Sequence, residues 1–204
     1  MITTFLLIWT SGAFAIQYGF ENITNNISGD AAIGEGQLFL DVTQSGNQVL
    51  FTFTNTGPNA SSITDIYFDD VVPLLSYVGF VPSSGVAFSV GATPPNLPGG
   101  NDPLYHFTSY YGYDSNSPTQ RNGVNPGESL GILFNYTNKS DFAKVADSIS
   151  DGTLRVGIHV QGFGTGGSES FINDPAAPVP EPATMLLLGS GLIGLFGLRR
   201  KSKE

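Results

Sequence analysis

Two stretches between Gln37 and Thr54 alternate apolar and polar residues, and that period of two constrains the fold more than any other feature of the chain. In Gln37-Leu38-Phe39-Leu40-Asp41-Val42-Thr43, the residues Leu38, Leu40 and Val42 share one face. After Ser45-Gly46-Asn47 the pattern resumes, with Val49, Phe51 and Phe53 on one side and Thr52 and Thr54 on the other. Two half-buried strands joined by a short Gly-containing loop make a β-hairpin. Asn55-Thr56-Gly57-Pro58-Asn59 then reads as a turn. Further strands are expected at 63–68, 86–90, 105–109, 130–136 and 154–160. In the last, Leu154, Val156, Ile158 and Val160 point one way, and Arg155 and His159 the other.

One helix is expected over Asp141–Ile149, where Phe142, Val145, Ala146 and Ile149 form a stripe at helical spacing behind a capping Ser140 or Asp141. The chain holds 26 Gly and 13 Pro in 204 residues, which favours turns and short strands over long helices. Stretches 91–103 and 114–127 read as long surface loops. The fold class expected is mostly β: a single antiparallel β-sandwich, jelly-roll topology included, with one short helix and a C-terminal transmembrane helix.

Charge is scarce and unevenly placed. Charged residues make up 12%, the net charge is −9, and no Cys occurs. Nucleic acid is excluded as a partner, since its phosphates repel such a surface. Disulfides, thiolate metal sites and Cys nucleophiles are excluded with the cysteines. From Ile16 to Pro180 only Arg121, Lys139, Lys144 and Arg155 balance fifteen acidic residues, whereas Arg199, Arg200, Lys201 and Lys203 crowd together. Body and tail are built for different surroundings.

Residues 1–15 carry an apolar run from Phe5 to Trp9 and end in Ala13-Phe14-Ala15, an A-x-A pattern that a signal peptidase cuts after Ala15, although no basic residue precedes the run. Residues 16–175 form the expected ectodomain and 176–182 a Pro-rich linker. Residues 183–198 are sixteen uncharged positions, which as a helix span roughly 24 Å, slightly short of a hydrocarbon core. The basic stretch 199–204 follows, and the positive-inside rule puts Arg199, Arg200 and Lys201 in the cytoplasm. In Val179-Pro180-Glu181-Pro182, two prolines flank a glutamate and hold the strip extended.

The order Val179-Pro180-Glu181-Pro182, Gly-rich apolar segment, then Arg199-Arg200-Lys201 resembles the PEP-CTERM sorting signal of bacterial exported proteins. The resemblance implies that an exosortase, a membrane-embedded processing enzyme, recognises Pro180-Glu181-Pro182. The tail is then a transient inner-membrane anchor, and the body ends at the cell surface or outside the cell. Since exosortases accompany exopolysaccharide production, the resemblance also implies a surface or extracellular-matrix role. The body phrases Phe51–Gly57, Ile66–Asp70, Asn125–Leu130 and Gly157–Gln161 are similar to ectodomains of other PEP-CTERM proteins and bring no activity with them.

Within the body the candidate sites are few. His159 stands near Ser168, Glu169 and Ser170, yet no G-x-S-x-G elbow is present, so an exposed or loop-bonded histidine is expected there. Tyr105, His106, Tyr110, Tyr111 and Tyr113 are candidate ligand-binding residues of an aromatic, sugar-binding platform, with packing beneath a loop as the alternative. Asp69 and Asp70, with Asp65, are candidate Ca²⁺ ligands, weighed against a solvated acidic surface. Gly162–Gly167 lacks the Lys-Ser/Thr of a phosphate loop and reads as a hairpin connection. No catalytic residue and no cofactor is expected, and the function expected is that of a non-enzymatic exported protein. The alternatives are a lectin-like module binding extracellular polysaccharide, with or without Ca²⁺, and an extracellular hydrolase.

Overall fold

The two alternating stretches form β3 (Leu38–Ser45) and β4 (Gln48–Asn55), paired antiparallel with Leu40 opposite Phe53 and Val42 opposite Phe51. They belong to a computed structural model that describes residues 15–173. The expected signal segment 1–15, apart from Ala15 at the start of the first strand, the linker 176–182 with Val179, Pro180, Glu181 and Pro182, the membrane segment 183–198, and Arg199, Arg200 and Lys201 lie outside the described residues. Among those described, no helix is long and apolar enough to cross a membrane.

All strands pair antiparallel, in two sheets. The remaining elements are β1 (Ala15–Tyr18), β2 (Phe20–Asn22), α1 (Ser28–Gln37), β5 (Ser62–Asp70), β6 (Leu75–Pro82), β7 (Phe88–Val90), β8 (Tyr111–Ser115), α2 (Thr119–Asn122), β9 (Ser129–Tyr136), α3 (Phe142–Ser150), β10 (Leu154–Gln161) and β11 (Glu169–Asn173). One sheet runs β1-β3-β4-β9-β6 and the other β2-β11-β10-β5-β8-β7. Their inner faces meet in one core that joins Leu40, Phe51, Phe53, Ile132 and Phe134 to Ile66, Phe68, Tyr113, Val156 and Ile158. Phe68 sits at its centre, 5.1 Å from the rings of both Phe51 and Phe134 and 6.0 Å from that of Tyr113, all edge-to-face. That geometry suits the aromatic quadrupole and fills the space between the sheets.

The expected helix is α3: the Asp141 carboxylate accepts from the Lys144 N–H at 2.8 Å, and Val145 and Ile149 are buried. Three helices stand among the described residues where one was expected. α1 escaped because its Gly-rich sequence carries no clear apolar stripe and no side-chain cap. The strand expected over 105–109 is instead irregular chain, with His106 in the left-handed region at φ 47°. The stretch 114–127 holds the end of β8 and the short α2 rather than loop alone.

A second apolar layer covers the outer face of the six-stranded sheet. Tyr67, Leu97, Phe107 and Ile172 are buried together, so the loop between β7 and β8 packs down on the sheet. Two glycines make this approach possible. A Cβ at Gly157 would lie 2.6 Å from Leu97 Cδ2, and one at Gly112 would lie 2.8 Å from Ala92 Cβ. Both are closer than side-chain atoms pack, so only Gly leaves room for the loop.

Candidate functional site

Alternation along β5 and β10 places Asp65, Tyr67 and Asp69 on the outer face of the sheet, opposite His159, Gly157 and Arg155. The neighbouring strands extend the His159 level into a row. Asp114 lies opposite Asp65, and Ser170 lies opposite His159. His159 Nδ1 is 3.0 Å from Asp65 Oδ2, which also accepts the Thr64 hydroxyl at 2.8 Å. Burial, and then the Asp65 carboxylate beside it, push the Asp114 carboxyl above its ordinary range. Ser170, next in line, is 1% exposed and its Oγ has no hydrogen-bond partner. Acid, imidazole and hydroxyl thus stand in order on adjacent strands, but the hydroxyl is sealed and its proton is not held by the histidine. A nucleophile needs both access and a base, and Ser170 has neither here.

Asp69 and Asp70 are buried, as is Asp65, and none of the three forms the solvated surface expected of them. Buried carboxylates require partners, and each of these has them, although in Asp69 only Oδ2 is engaged and Oδ1 has none. Asp69 accepts from Arg155 and from the Thr108 N–H. Arg155 also donates to the carbonyls of Tyr105 and His106 and lies over the Phe107 ring, 5.3 Å from its centre. It rivets the covering loop to the sheet. The Asp70 carboxylate accepts from the N–H groups of Leu74 and Leu75 at 2.9–3.1 Å and so closes the turn into β6. Among the described residues no three His, Asp or Glu side chains gather as a metal site.

The five aromatic candidates do not form one platform. Tyr113 is buried in the inter-sheet core, and Tyr111 turns inward to donate its hydroxyl to the Leu75 carbonyl at 3.0 Å. Tyr110 is 53% exposed, His106 is exposed, and Tyr105 is half-buried. Tyr105 lines two hollows. One, of about 180 Å³, is bounded by Glu21, Leu104, Tyr105, Arg155 and Asn173. The other, about 420 Å³ and wide open, is bounded by Asn22, Asn25, Ser28, Glu35 and Tyr105. With Ile23, Tyr105 stands between them, an aromatic wall flanked by amides and carboxylates.

Sequence reasoning missed the group that shapes this groove. Glu169, at the start of β11, is buried and accepts from the Thr24 hydroxyl at 2.5 Å, the Ile27 N–H at 2.6 Å, the Asn26 N–H at 3.0 Å and the Asn22 amide at 3.2 Å. Burial raises its pKa, but these four donors outweigh burial and hold the carboxyl below its usual range. The partners stand more than 140 positions away in the chain, and no local pattern announces them. The expected hairpin connection at Gly162–Gly167 does join β10 to β11, and Thr165 within it donates to the buried Asp30 of α1.

The described body builds a groove beside Tyr105, and the information about its fate lies in the tail. Residues 178–201 match the family model of the PEP-CTERM protein-sorting motif. The chain is a PEP-CTERM exosortase substrate. As a PEP-CTERM protein it is exported, and it is held transiently in the membrane before an exosortase, a membrane enzyme, processes it. No curated protein and no solved structure matches the chain.

Proposed function

We propose that the body of this PEP-CTERM protein is a non-enzymatic domain, delivered by its sorting signal to the cell surface or the extracellular matrix. The observation that carries this reading is the fate of the reactive side chains. His159 is bound to Asp65, Arg155 to Asp69, Glu169 to four donors, and the Ser170 hydroxyl is buried. The first three are spent on internal contacts, and the hydroxyl is out of reach.

The test is intact mass and location of the protein in cells with and without their exosortase. A form running from about Ile16 to about Pro180, outside the cell only when the enzyme is present, is the expected result. Full-length protein in the inner membrane of both strains would overturn it. For the absence of catalysis, a fluorophosphonate probe should leave the folded body unlabelled, and labelling of Ser170 would refute that part.

A second reading, a saccharide-binding module, draws on the Tyr105 groove, because an aromatic wall between amides and carboxylates suits a sugar ring and its hydroxyls. It does not draw on Ca²⁺, since Asp69 Oδ2 and Asp70 are engaged by internal partners. Oligosaccharide prepared from the producing cells should raise the melting temperature of the protein but not of Tyr105→Ala. No shift with either protein would reject it.

A further inference from the structure

The smaller hollow beside Tyr105, about 180 Å³, holds a buried donor that the fold leaves unused. Asn173, the last residue of β11, is 2% exposed and lines it. Its Oδ1 accepts from the Val156 N–H at 2.6 Å. That N–H needs an oxygen, so the amide cannot be reversed, and the NH2 is the end left to the hollow. It donates to no group among the described residues. A buried donor is costly to leave unpaired, so the position asks for an acceptor from outside. The rest of the lining divides by chemistry. Ile23, Ile149, Ile172 and Leu104 give it an apolar wall, and Leu104 is the most exposed large apolar side chain among the described residues. Glu21 stands at the same hollow, exposed, its carboxylate bound to no group among the described residues. The cation there, Arg155, is neutralised by Asp69 and donates to the carbonyls of Tyr105 and His106. Across Tyr105, the wide hollow carries Glu35 and no basic residue.

Resting on the saccharide reading of the Tyr105 groove, we infer that the smaller hollow is a pocket for an acetamido group, and that the ligand is a saccharide chain carrying N-acetylated hexosamine. An acetamido group has three ends, and the hollow has a counterpart for each. Its carbonyl oxygen accepts from the Asn173 NH2, its methyl lies among the isoleucines and Leu104, and its N–H donates to the Glu21 carboxylate. The sugar ring then lies against Tyr105, and the next ring enters the wide hollow, where Asn25, Ser28 and Glu35 offer partners to its hydroxyls. A plain hydroxyl in place of the acetamido group leaves the apolar wall uncovered and reaches the Asn173 NH2 poorly. A uronate brings its carboxylate toward Glu21 and Glu35 while Arg155 is already engaged. The groove therefore selects N-acetylated chains over both neutral glucans and acidic ones.

Titration calorimetry on the exported form tests this with the β-1,4-linked tetramer of N-acetylglucosamine, with cellotetraose, which has hydroxyls in place of the acetamido groups, and with tetragalacturonate. The acetylated tetramer should bind about tenfold more tightly than either of the others, the yield of one hydrogen bond and one buried methyl. Asn173→Asp keeps an oxygen for the Val156 N–H and removes the NH2. It should cut the affinity for the acetylated tetramer about tenfold and leave that for cellotetraose unchanged. Glu21→Gln, at an exposed position, probes the same pocket without touching the core. It should weaken the acetylated tetramer about threefold and strengthen tetragalacturonate. Equal affinity for the acetylated tetramer and cellotetraose, with both lost in Tyr105→Ala, overturns the acetamido pocket and leaves the saccharide reading standing. No heat from the acetylated tetramer also overturns the pocket. If oligosaccharide from the producing cells then leaves the melting temperature unmoved, the saccharide reading falls with it.

Discussion

Glu169→Gln is the substitution whose consequence the structure defines most closely. The carboxylate divides its work: Oε1 accepts from the Ile27 N–H, and Oε2 accepts from Thr24, Asn26 and Asn22. A glutamine keeps one oxygen and replaces the other with a donor. If its oxygen stays with the three donors, its NH2 faces the Ile27 N–H and leaves a buried donor unpaired. Losing that bond and weakening the charge-assisted others comes to about 2–4 kcal/mol. For a body of this length that is a fall of roughly 5–12 °C in Tm. Thermal and urea unfolding of the exported form, followed by circular dichroism, would show a lower midpoint and an unchanged slope.

The sign with pH follows from the depressed folded-state pKa. The contribution of Glu169 is complete above its ordinary value of 4.5 and is lost as pH falls through the lower folded value. The gap between parent and variant should therefore be full at pH 7 and should narrow on acidification below 4.5. A gap absent at pH 7, or one that persists unchanged in acid, would refute the clasp.

Gly157→Ala should destabilise the body by about 1–3 kcal/mol, since its methyl group must displace Leu97, and limited proteolysis should then cut between residues 91 and 110 sooner than in the parent. Asp114→Asn should act in the opposite direction. The raised folded pKa of Asp114 means that ionisation costs the folded state stability above the ordinary value of 3.8, so the amide should raise the urea midpoint at pH 7 and leave it unchanged at pH 3. Phe68→Ala removes the ring shared by Phe51, Phe134 and Tyr113 and should cost about 3–5 kcal/mol, read as a lower urea midpoint at unchanged slope.

The elements legible in the sequence are those whose pattern is local. The β3–β4 hairpin, β10 and the capped α3 follow from periods of two and 3.6 that no neighbour interrupts. β6 was not legible. Its register shifts between Tyr77 and Gly79, so Tyr77 and Phe80 both face the core three positions apart, and Val78 between them is exposed. Strand 105–109 was expected from its aromatics, but they pack as a loop over Gly157. The polar pairs were illegible for another reason. Asp65 and His159 stand 94 residues apart and Asp69 and Arg155 stand 86 apart, so only the order of strands across the sheet brings them together. A count of carboxylates suggests a solvated surface, and the fold turns three of them into internal fasteners. The sorting tail was legible because its recognition is linear.

Processing also changes what can hold the body outside the cell. The cleavage proposed near Pro180 would remove Arg199, Arg200, Lys201 and Lys203 and leave four basic residues, one of which, Arg155, is occupied by Asp69. The product is an acidic body that anionic headgroups repel. Retention then depends on contacts that do not need opposite charge, and the candidate is the Tyr105 groove. Such contacts are insensitive to screening or strengthened by it, whereas a Coulombic contact to a cationic matrix weakens as the Debye length falls to about 3 Å at about 1 M salt. Processed protein retained on cells should therefore remain through a wash at about 1 M sodium chloride. Release of most of it into the wash would mean that the carboxylates themselves hold the body in place, and would remove the groove from the account of retention.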